Sequence, residues 1–395
     1  MNSEFRMPPV TIVHLSELVK IKKGKKVTTM TESSEGTVYP ILKIDNLRGE
    51  VPKEFGYDEK GVLCSPHDIL IVWDGTNAGQ IGTNLQGYVG STIAKMEIKN
   101  PKKIHYMYLY HFLKLKFGYL NQHAEGVAIK HLNRSKLLNL VLPLPSWEFQ
   151  VKFVKILEKS SAVVKKEKNK LDLVGQLVQA VFQEVVGPLA DGYEKWPKFS
   201  IDKLASNIRS GPFGSQLLHS EFTETGDVLV LGIENAVKKQ FVWSKNERYI
   251  TKEKYKKLNR YTAYPEDVLV TIMGTVGRAA VVPNNIPLAI TTKHLATLTL
   301  KKDLVHCDFI AGAFNYHSEV IRQMNQLNRG AIMKGLSIGT IRQIQIHIPP
   351  MKVQLGFSRI VRQIRDIEKK MQNKFQVTET LYNTLAHNVY KVPTK

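Results

Sequence analysis

Gly126 to Pro145 reads GVAIKHLNRSKLLNLVLPLP, and Gly330 to Pro349 reads GAIMKGLSIGTIRQIQIHIP. At one constant offset of 204, Lys130 aligns with Lys334, Leu132 with Leu336, Leu140 with Ile344 and Pro145 with Pro349. The same offset carries on through Gln150 and Gln354, Phe153 and Phe357, and Ile156 and Ile360. Upstream it shrinks: Ile44-Asp45-Asn46 matches Ile233-Glu234-Asn235, and DILIVWDGT from Asp68 matches DVLVTIMGT from Asp267. The drift places insertions in loops between matched core segments. A long internal repeat decides architecture. Two copies are too few for a solenoid, so two similar globular domains about an approximate two-fold axis are expected.

Within each copy, short β-branched and aliphatic runs bounded by Gly, Pro, Asn or Asp predict strands. They cover Tyr39 to Ile44, Asp68 to Trp73 and Thr92 to Ile98, then Val228 to Ile233, Val268 to Met273 and Leu295 to Leu300. Helical stretches intervene at Ile104 to Leu120 and Asp308 to Leu327, giving an α+β class. Pro143, Pro145, Pro349 and Pro350 close each globular part, and some forty residues without internal proline follow. Such a helix is roughly 60 Å long at ~1.5 Å per residue. The expected domains are therefore 1–146, a long helix at 147–187, a second globular domain at 188–350, and a second long helix at 351–391.

The apolar stripe of the second helix reads Ile360, Ile364, Ile367, Met371, Lys374, Thr378, Leu381 and Leu385, spaced alternately four and three as a coiled-coil seam requires. The matching stripe of the first is Ile156, Ser160, Val163, Glu167, Lys170, Val174, Leu177 and Val181. Two such stripes in one chain bury each other most simply as an antiparallel pair. Glu167 is expected to face Lys374 across it, either as a polar layer that fixes register or with the lysine reaching out of the seam.

Lys and Arg total 56 against 35 Asp and Glu, a net +21, which makes a polyanion such as nucleic acid the leading partner and a basic protein that binds none the alternative. Only Cys64 and Cys307 occur, at non-equivalent places in the two copies, so neither a disulfide framework nor a cysteine metal site is expected. The opening MNSEFRMPPV has no signal-peptide apolar region and no apolar run approaches ~18 residues, so no membrane span and a cytoplasmic location are expected.

Catalytic motifs are missing from this reading. Asp68 with Glu97 and Lys99 resembles a nuclease metal site, but the second copy keeps Asp267 while Thr299 replaces the acid, so both aspartates read as turn caps. Gly75 to Gly79 lacks the lysine and hydroxyl of a phosphate loop, and the histidines show no metal-ligand spacing. No cofactor and no metal are expected. Lys20, Lys22, Lys23, Lys25 and Lys26 surround Gly24, where the second copy has Arg209-Ser-Gly-Pro-Phe-Gly-Ser215. After the central strands, Trp73 to Gln80 stands against Met273 to Arg278, with glycines and a threonine kept and polar side chains changed. Two scaffolds reading different bases would differ in this way, as would two ligand-free turns.

With these residues in place, the chain resembles the specificity subunits of type I restriction-modification systems. The resemblance rests on Trp196-Pro-Lys-Phe-Ser-Ile-Asp-Lys-Leu204 opening a domain, and on the duplicated G-x-x-x-K-x-L … L-P-x-P-x-x-x-Q segments leading into long helices, with Phe149 and Val353 standing where such proteins commonly carry an acid. It implies a non-catalytic protein binding a bipartite, asymmetric site in double-stranded DNA. The paired helices would space the half-sites and dock two methyltransferase subunits, through which restriction subunits with the motor and nuclease join. The alternatives are a similar subunit of an enzyme whose methyltransferase and nuclease are fused, and a free-standing DNA-binding regulator. The DNA contacts expected under this resemblance are Lys22, Lys25, Lys26, Asn77, Gln80 and Lys130 in the first copy. In the second they are Arg209, Ser215, Arg278, Lys293, His294 and Lys334.

Overall fold

The computed structural model describes residues 8–32, 36–327 and 335–391. Lys334 lies outside the described residues. Two compact units divide the chain, one formed by residues 1–168 with 373–395 and the other by residues 169–372.

In the first unit the strands are β1 (Thr11–His14), β2 (Val19–Lys23), β3 (Tyr39–Leu42), β4 (Phe55–Gly56), β5 (Leu63–Cys64), β6 (Ile69–Val72), β7 (Ile81–Gly82), β8 (Gly87–Val89), β9 (Ile93–Ile98) and β10 (Val141–Leu144). They form a β1-β10 pair, a sheet in the order β2-β9-β6-β7 and a sheet in the order β4-β3-β8-β5. Strand β6 is ILIV, buried at all four positions, which explains its uninterrupted apolar run in the middle of a covered sheet. Helix Tyr106–Leu115 buries Met107, Tyr108, Leu109, Phe112 and Leu113 in the same core as Ile69, Ile71 and Met96.

The second unit repeats this strand for strand. Its members are β11 (Lys198–Ser200), β12 (Ala205–Ser210), β13 (Val228–Leu231), β14 (Tyr249–Ile250), β15 (Thr262–Ala263), β16 (Val268–Thr271), β17 (Ala279–Val281), β18 (Ala289–Thr291), β19 (Leu295–Leu300) and β20 (Gln345–His347). The pairings are β11-β20, β12-β19-β16-β17 and β14-β13-β18-β15. Even the parallel pair recurs, β3 with β8 and β13 with β18. The expected α+β class and the duplicated domain are both observed.

Two helices of 39 and 40 residues, Trp147–Val185 and Met351–Tyr390, follow the proline stops. Each begins with a buried glutamine in its first turn. Gln150 accepts from the His105 N–H at 2.9 Å and donates to the Lys103 and Pro145 carbonyls at 3.1 and 3.0 Å. Gln354 does the same with His306, Leu304 and Pro349, at 2.8, 3.3 and 2.8 Å. Both side chains are fully buried, and each satisfies three backbone groups.

Within the first unit the helices run antiparallel: the Phe153 and Tyr390 rings lie 5.6 Å apart, and Lys374 donates to Glu167 at 3.3 Å. The sequence pairing of Glu167 with Lys374 therefore holds, but the seam is rotated. Buried or half-buried positions run Leu157, Ser160, Val164, Glu167, Leu171, Val174, Val178, Val181 on one helix and Val361, Ile364, Glu368, Met371, Phe375, Thr378, Tyr382, Leu385 on the other. Of the sixteen expected stripe residues, Ser160, Glu167, Val174, Val181, Ile364, Met371, Thr378 and Leu385 are buried or half-buried on this seam. The other eight stand one residue away from it: Val163, Leu177, Ile367, Lys374 and Leu381 are exposed, and Ile156, Lys170 and Ile360 are half-buried at its flank. Lys374 is 63% exposed while Glu167 is 7%, so the lysine reaches inward from the rim. The cause is that three adjacent columns are largely apolar, and any neighbouring two satisfy the four-three spacing.

Two buried histidines give the fold an acid limit. His317 sits against the Tyr193 hydroxyl at 2.8 Å, and His111 lies under Tyr382 on the second long helix, 3.5 Å away. Burial pushes both down to about 4 from 6.5. As pH falls from 6.5 to 4, the unfolded chain takes up protons that the folded chain refuses, so stability drops through that window by about 3 kcal/mol per histidine. Urea titrations should show this slope, and His317→Gln, which can still meet Tyr193 but cannot titrate, should make it shallower; an unchanged slope would refute the assignment.

Candidate nucleic-acid interface

In both units the loop after the central strand is held by the same two backbone bonds. Trp73 donates to Thr92 and accepts from Leu132, each at 2.8 Å; Ile272 donates to His294 at 2.9 Å and accepts from Leu336 at 2.8 Å. The loop preceding it is held as closely. Gly24 and Gly211 bond to Ile93 and Leu295, and a Cβ on either would stand 2.2 to 2.3 Å from backbone atoms of the strand opposite, so only glycine allows the crossing.

On this frame the first unit gathers most of its expected contacts. Lys22, Lys25, Lys26 and Lys130 are exposed, and Asn77 and Gln80 are half-buried. Lys23 and His131 converge on Asp74 at 2.9 and 2.7 Å, and the Lys130 carbonyl accepts from Gly75 at 2.8 Å, which brings the lysine run, the Trp73 to Gln80 loop and the Lys130 segment together. Burial alone would raise the Asp74 carboxyl, but the hydrogen bonds from Lys23 and His131 outweigh it and hold it below the usual range. Gln80 accepts from Arg48 at 3.2 and 3.3 Å, and so presents a guanidinium that the sequence reading missed. Asn121, also missed, ties the loop by donating to the Thr76 and Ala78 carbonyls at 2.9 and 3.0 Å. Val127 and Ile129 stand fully and 57% exposed beside Lys130.

The second unit differs in its details. Ser215 and Lys293 are exposed, and Arg278 and His294 are half-buried. The Thr271 hydroxyl accepts from the Arg278 N–H at 2.9 Å and donates to the Thr275 carbonyl, which shapes the tight Gly274 to Gly277 turn. Burial lowers His294, and the charges of Lys293 and Arg248 lower it further, so the ring is neutral at physiological pH.

Arg209 is placed elsewhere than expected. Its guanidinium is 11% exposed, donates to Asp267 at 2.9 Å and Thr299 at 2.8 Å, and reaches the Thr262 carbonyl. The first unit solves the same problem from the neighbouring strand, with Lys95 3.4 Å from Asp68. The registers explain the exchange: Lys22 pairs with Lys95, and Arg209 with Thr297. The cation that neutralises the buried aspartate has moved one strand over, leaving Lys22 free to face solvent and drawing Arg209 inward. Asp68 and Asp267 also cap their turns, accepting from Ser65 and Tyr264 N–H groups at 2.8 and 2.9 Å.

The type I restriction modification DNA specificity domain matches twice, over residues 7–174 and 193–378. The chain belongs to this family. The MjaVIII specificity subunit of Methanocaldococcus jannaschii is 27% identical over 244 residues, 59% of this chain and 56% of that protein, so the match spans little more than half of that relative's length. The EcoBI specificity subunit of Escherichia coli is 21% identical over 387 residues, 89% of this chain and 79% of its own. The type I S subunit from M. genitalium has the same fold, with a TM-score of 0.59 at 14% identity over 100% of this chain and 99% of that one. A second structure, from work on complex assembly and conformational transition of the type I system, gives 0.60 at 14% identity over 98% and 99%. Among the described residues of this specificity-family chain, no helix is long and apolar enough to cross a membrane.

Removing the Arg209 guanidinium leaves Asp267 buried and unpaired, so Arg209→Ala should lose about 3 to 5 kcal/mol in urea unfolding. Adding Thr297→Lys, which imports the first unit's solution, should restore part of it. If Arg209→Ala left stability unchanged and weakened only DNA binding, the DNA-contact expectation would return.

Proposed function

We propose that this chain is a non-catalytic DNA reader whose two units each address one half of a bipartite, asymmetric duplex target, and which docks two methyltransferase subunits. Restriction subunits join through those partners. The observation that carries the reading role is a common frame with unlike loops. The same backbone bonds hold both loops, while the side chains around them differ, with Asn77, Gln80 and Arg48 in one unit and Arg278, Lys293 and His294 in the other. Lysines such as Lys22, Lys25, Lys26 and Lys130 suit phosphates, and Arg, Asn and Gln suit base edges. Ser215 and Lys334 belong to the same proposed contact set.

Docking of two partners is supported by the flanks of the seam. Val163, Leu173 and Leu177 are 48%, 63% and 45% exposed, and their repeat partners Ile367, Val377 and Leu381 are 49%, 59% and 65% exposed. These three apolar positions are thus left in water on both helices. The antiparallel pairing puts Val163 level with Val377 and Leu381 in the first unit, and Ile367 with Leu173 and Leu177 in the second. Equivalent apolar triads, one per unit, suit two copies of one partner.

Sequencing of methylated adenines in cells carrying the chain and its methyltransferase should reveal a two-part motif; methylation at a single uninterrupted motif would refute the bipartite reading. Arg278→Ala should relax one base position, at a cost of about 1 to 3 kcal/mol. A uniform loss across sequences would reassign it to the backbone. For docking, Val163→Asp with Leu381→Asp, and separately Ile367→Asp with Leu177→Asp, should each remove one methyltransferase copy as weighed by native mass spectrometry. Retention of both copies by both variants would rule out these triads.

A further inference from the structure

The second unit contains a cavity of about 360 Å³ beside the loop that carries Lys293 and His294; its walls include Leu217, Phe222, Glu234, Arg248 and Thr292. Glu234 and Arg248 pair at 2.5 Å, and the guanidinium lies over the Phe222 ring, 5.2 Å from its centroid. A Cβ on Gly232 would meet these two side chains at 2.3 and 2.4 Å, so the glycine makes room for the pair.

Thr292 is 8% exposed, and its hydroxyl has no hydrogen-bond partner among the described residues. Its N–H donates to Leu231 at 2.9 Å and its backbone packs against Gly211, which fixes where the hydroxyl stands. A buried hydroxyl left unpaired opposes folding. The topology does not require it, since the register of β8 and β18 sets Gly90 at the corresponding place of the first unit.

An aromatic face accepts any base by stacking. The ion pair and the hydroxyl together offer both donors and acceptors, as a base edge requires, and Lys293 with Arg248 against Glu234 leaves a positive balance for a phosphate. A bare phosphate would make no use of the apolar wall, and a purely apolar ligand would make none of the ion pair. We propose that this cavity binds one nucleotide, its base against Phe222 and within reach of Thr292 and the Glu234–Arg248 pair, and its phosphate on Lys293. The proposal rests on the DNA-reading role only for the nucleotide's source, which is either a base turned out of bound duplex or a free nucleotide.

Ligand-observed NMR on the intact chain with the four deoxynucleoside 5′-monophosphates should show saturation transfer to base protons that inorganic phosphate does not abolish. Thr292→Val replaces the hydroxyl with a methyl of the same shape and should weaken the best nucleotide about fivefold. Stronger displacement by a duplex with a one-nucleotide bulge than by a paired duplex of equal length identifies DNA as the source, and equal displacement identifies the free nucleotide. Lack of transfer from all four nucleotides, full competition by phosphate, or an unaltered Thr292→Val affinity overturns the proposal. Duplex binding measured on the same samples keeps that outcome separate from the fate of the DNA-reading role.

Discussion

A glutamine in the first turn of each long helix governs the rest of the molecule. Gln150 and Gln354 each join three backbone segments: the strand end that precedes the helix, the turn that opens the short helix of the domain, and the loop just before it. The Pro145 and Pro349 carbonyls are bonded in buried surroundings and the others in partly buried ones, and leaving a buried group unmet costs on the order of 1 to 3 kcal/mol. No apolar side chain could do the same, because the requirement is for one acceptor and two donors at fixed places. The glutamine therefore sets the angle at which a rod leaves its domain, and an identical solution in both copies gives both rods the same departure.

The domains then diverge where divergence is cheap. Backbone bonds that hold the loops after the central strands recur in both copies, because they depend on no side chain. The buried aspartate before the central strand is also kept, yet its counter-ion comes from Lys95 in one unit and Arg209 in the other. A charge beneath a sheet must be met, but the sheet does not dictate which strand supplies the cation. This exchange lets one face of an otherwise equivalent sheet present lysine to solvent while the other does not.

Much of the architecture was legible because the repeat fixed it twice over. The strands around Ile69 to Val72 and Val268 to Thr271 follow from unbroken apolar runs, and the helix starts from paired prolines. Rotation of the helices was not legible, since Val163, Ile367 and Leu381 are as apolar as true seam residues and periodicity does not distinguish inside from flank. Arg209 misled for a related reason: an arginine in a basic segment looks like a ligand contact until the partner strand is known. Arg48 and Asn121 were invisible because they act on loops 32 and 43 to 45 residues away. Lys334 falls outside the described residues.

The first unit is discontinuous, drawing residues 373–395 onto residues 1–168, whereas the second is a single stretch, 169–372. Tyr390 is almost wholly enclosed there, with its hydroxyl on the Tyr108 carbonyl at 2.7 Å. The Phe112 and Phe153 rings each lie 5.6 Å from the Tyr390 ring, so part of this core is closed by a helix segment more than two hundred residues downstream. Removing the Tyr390 turn would uncover that core while leaving the contiguous second unit with all of its residues, so the two units would answer differently to the same truncation.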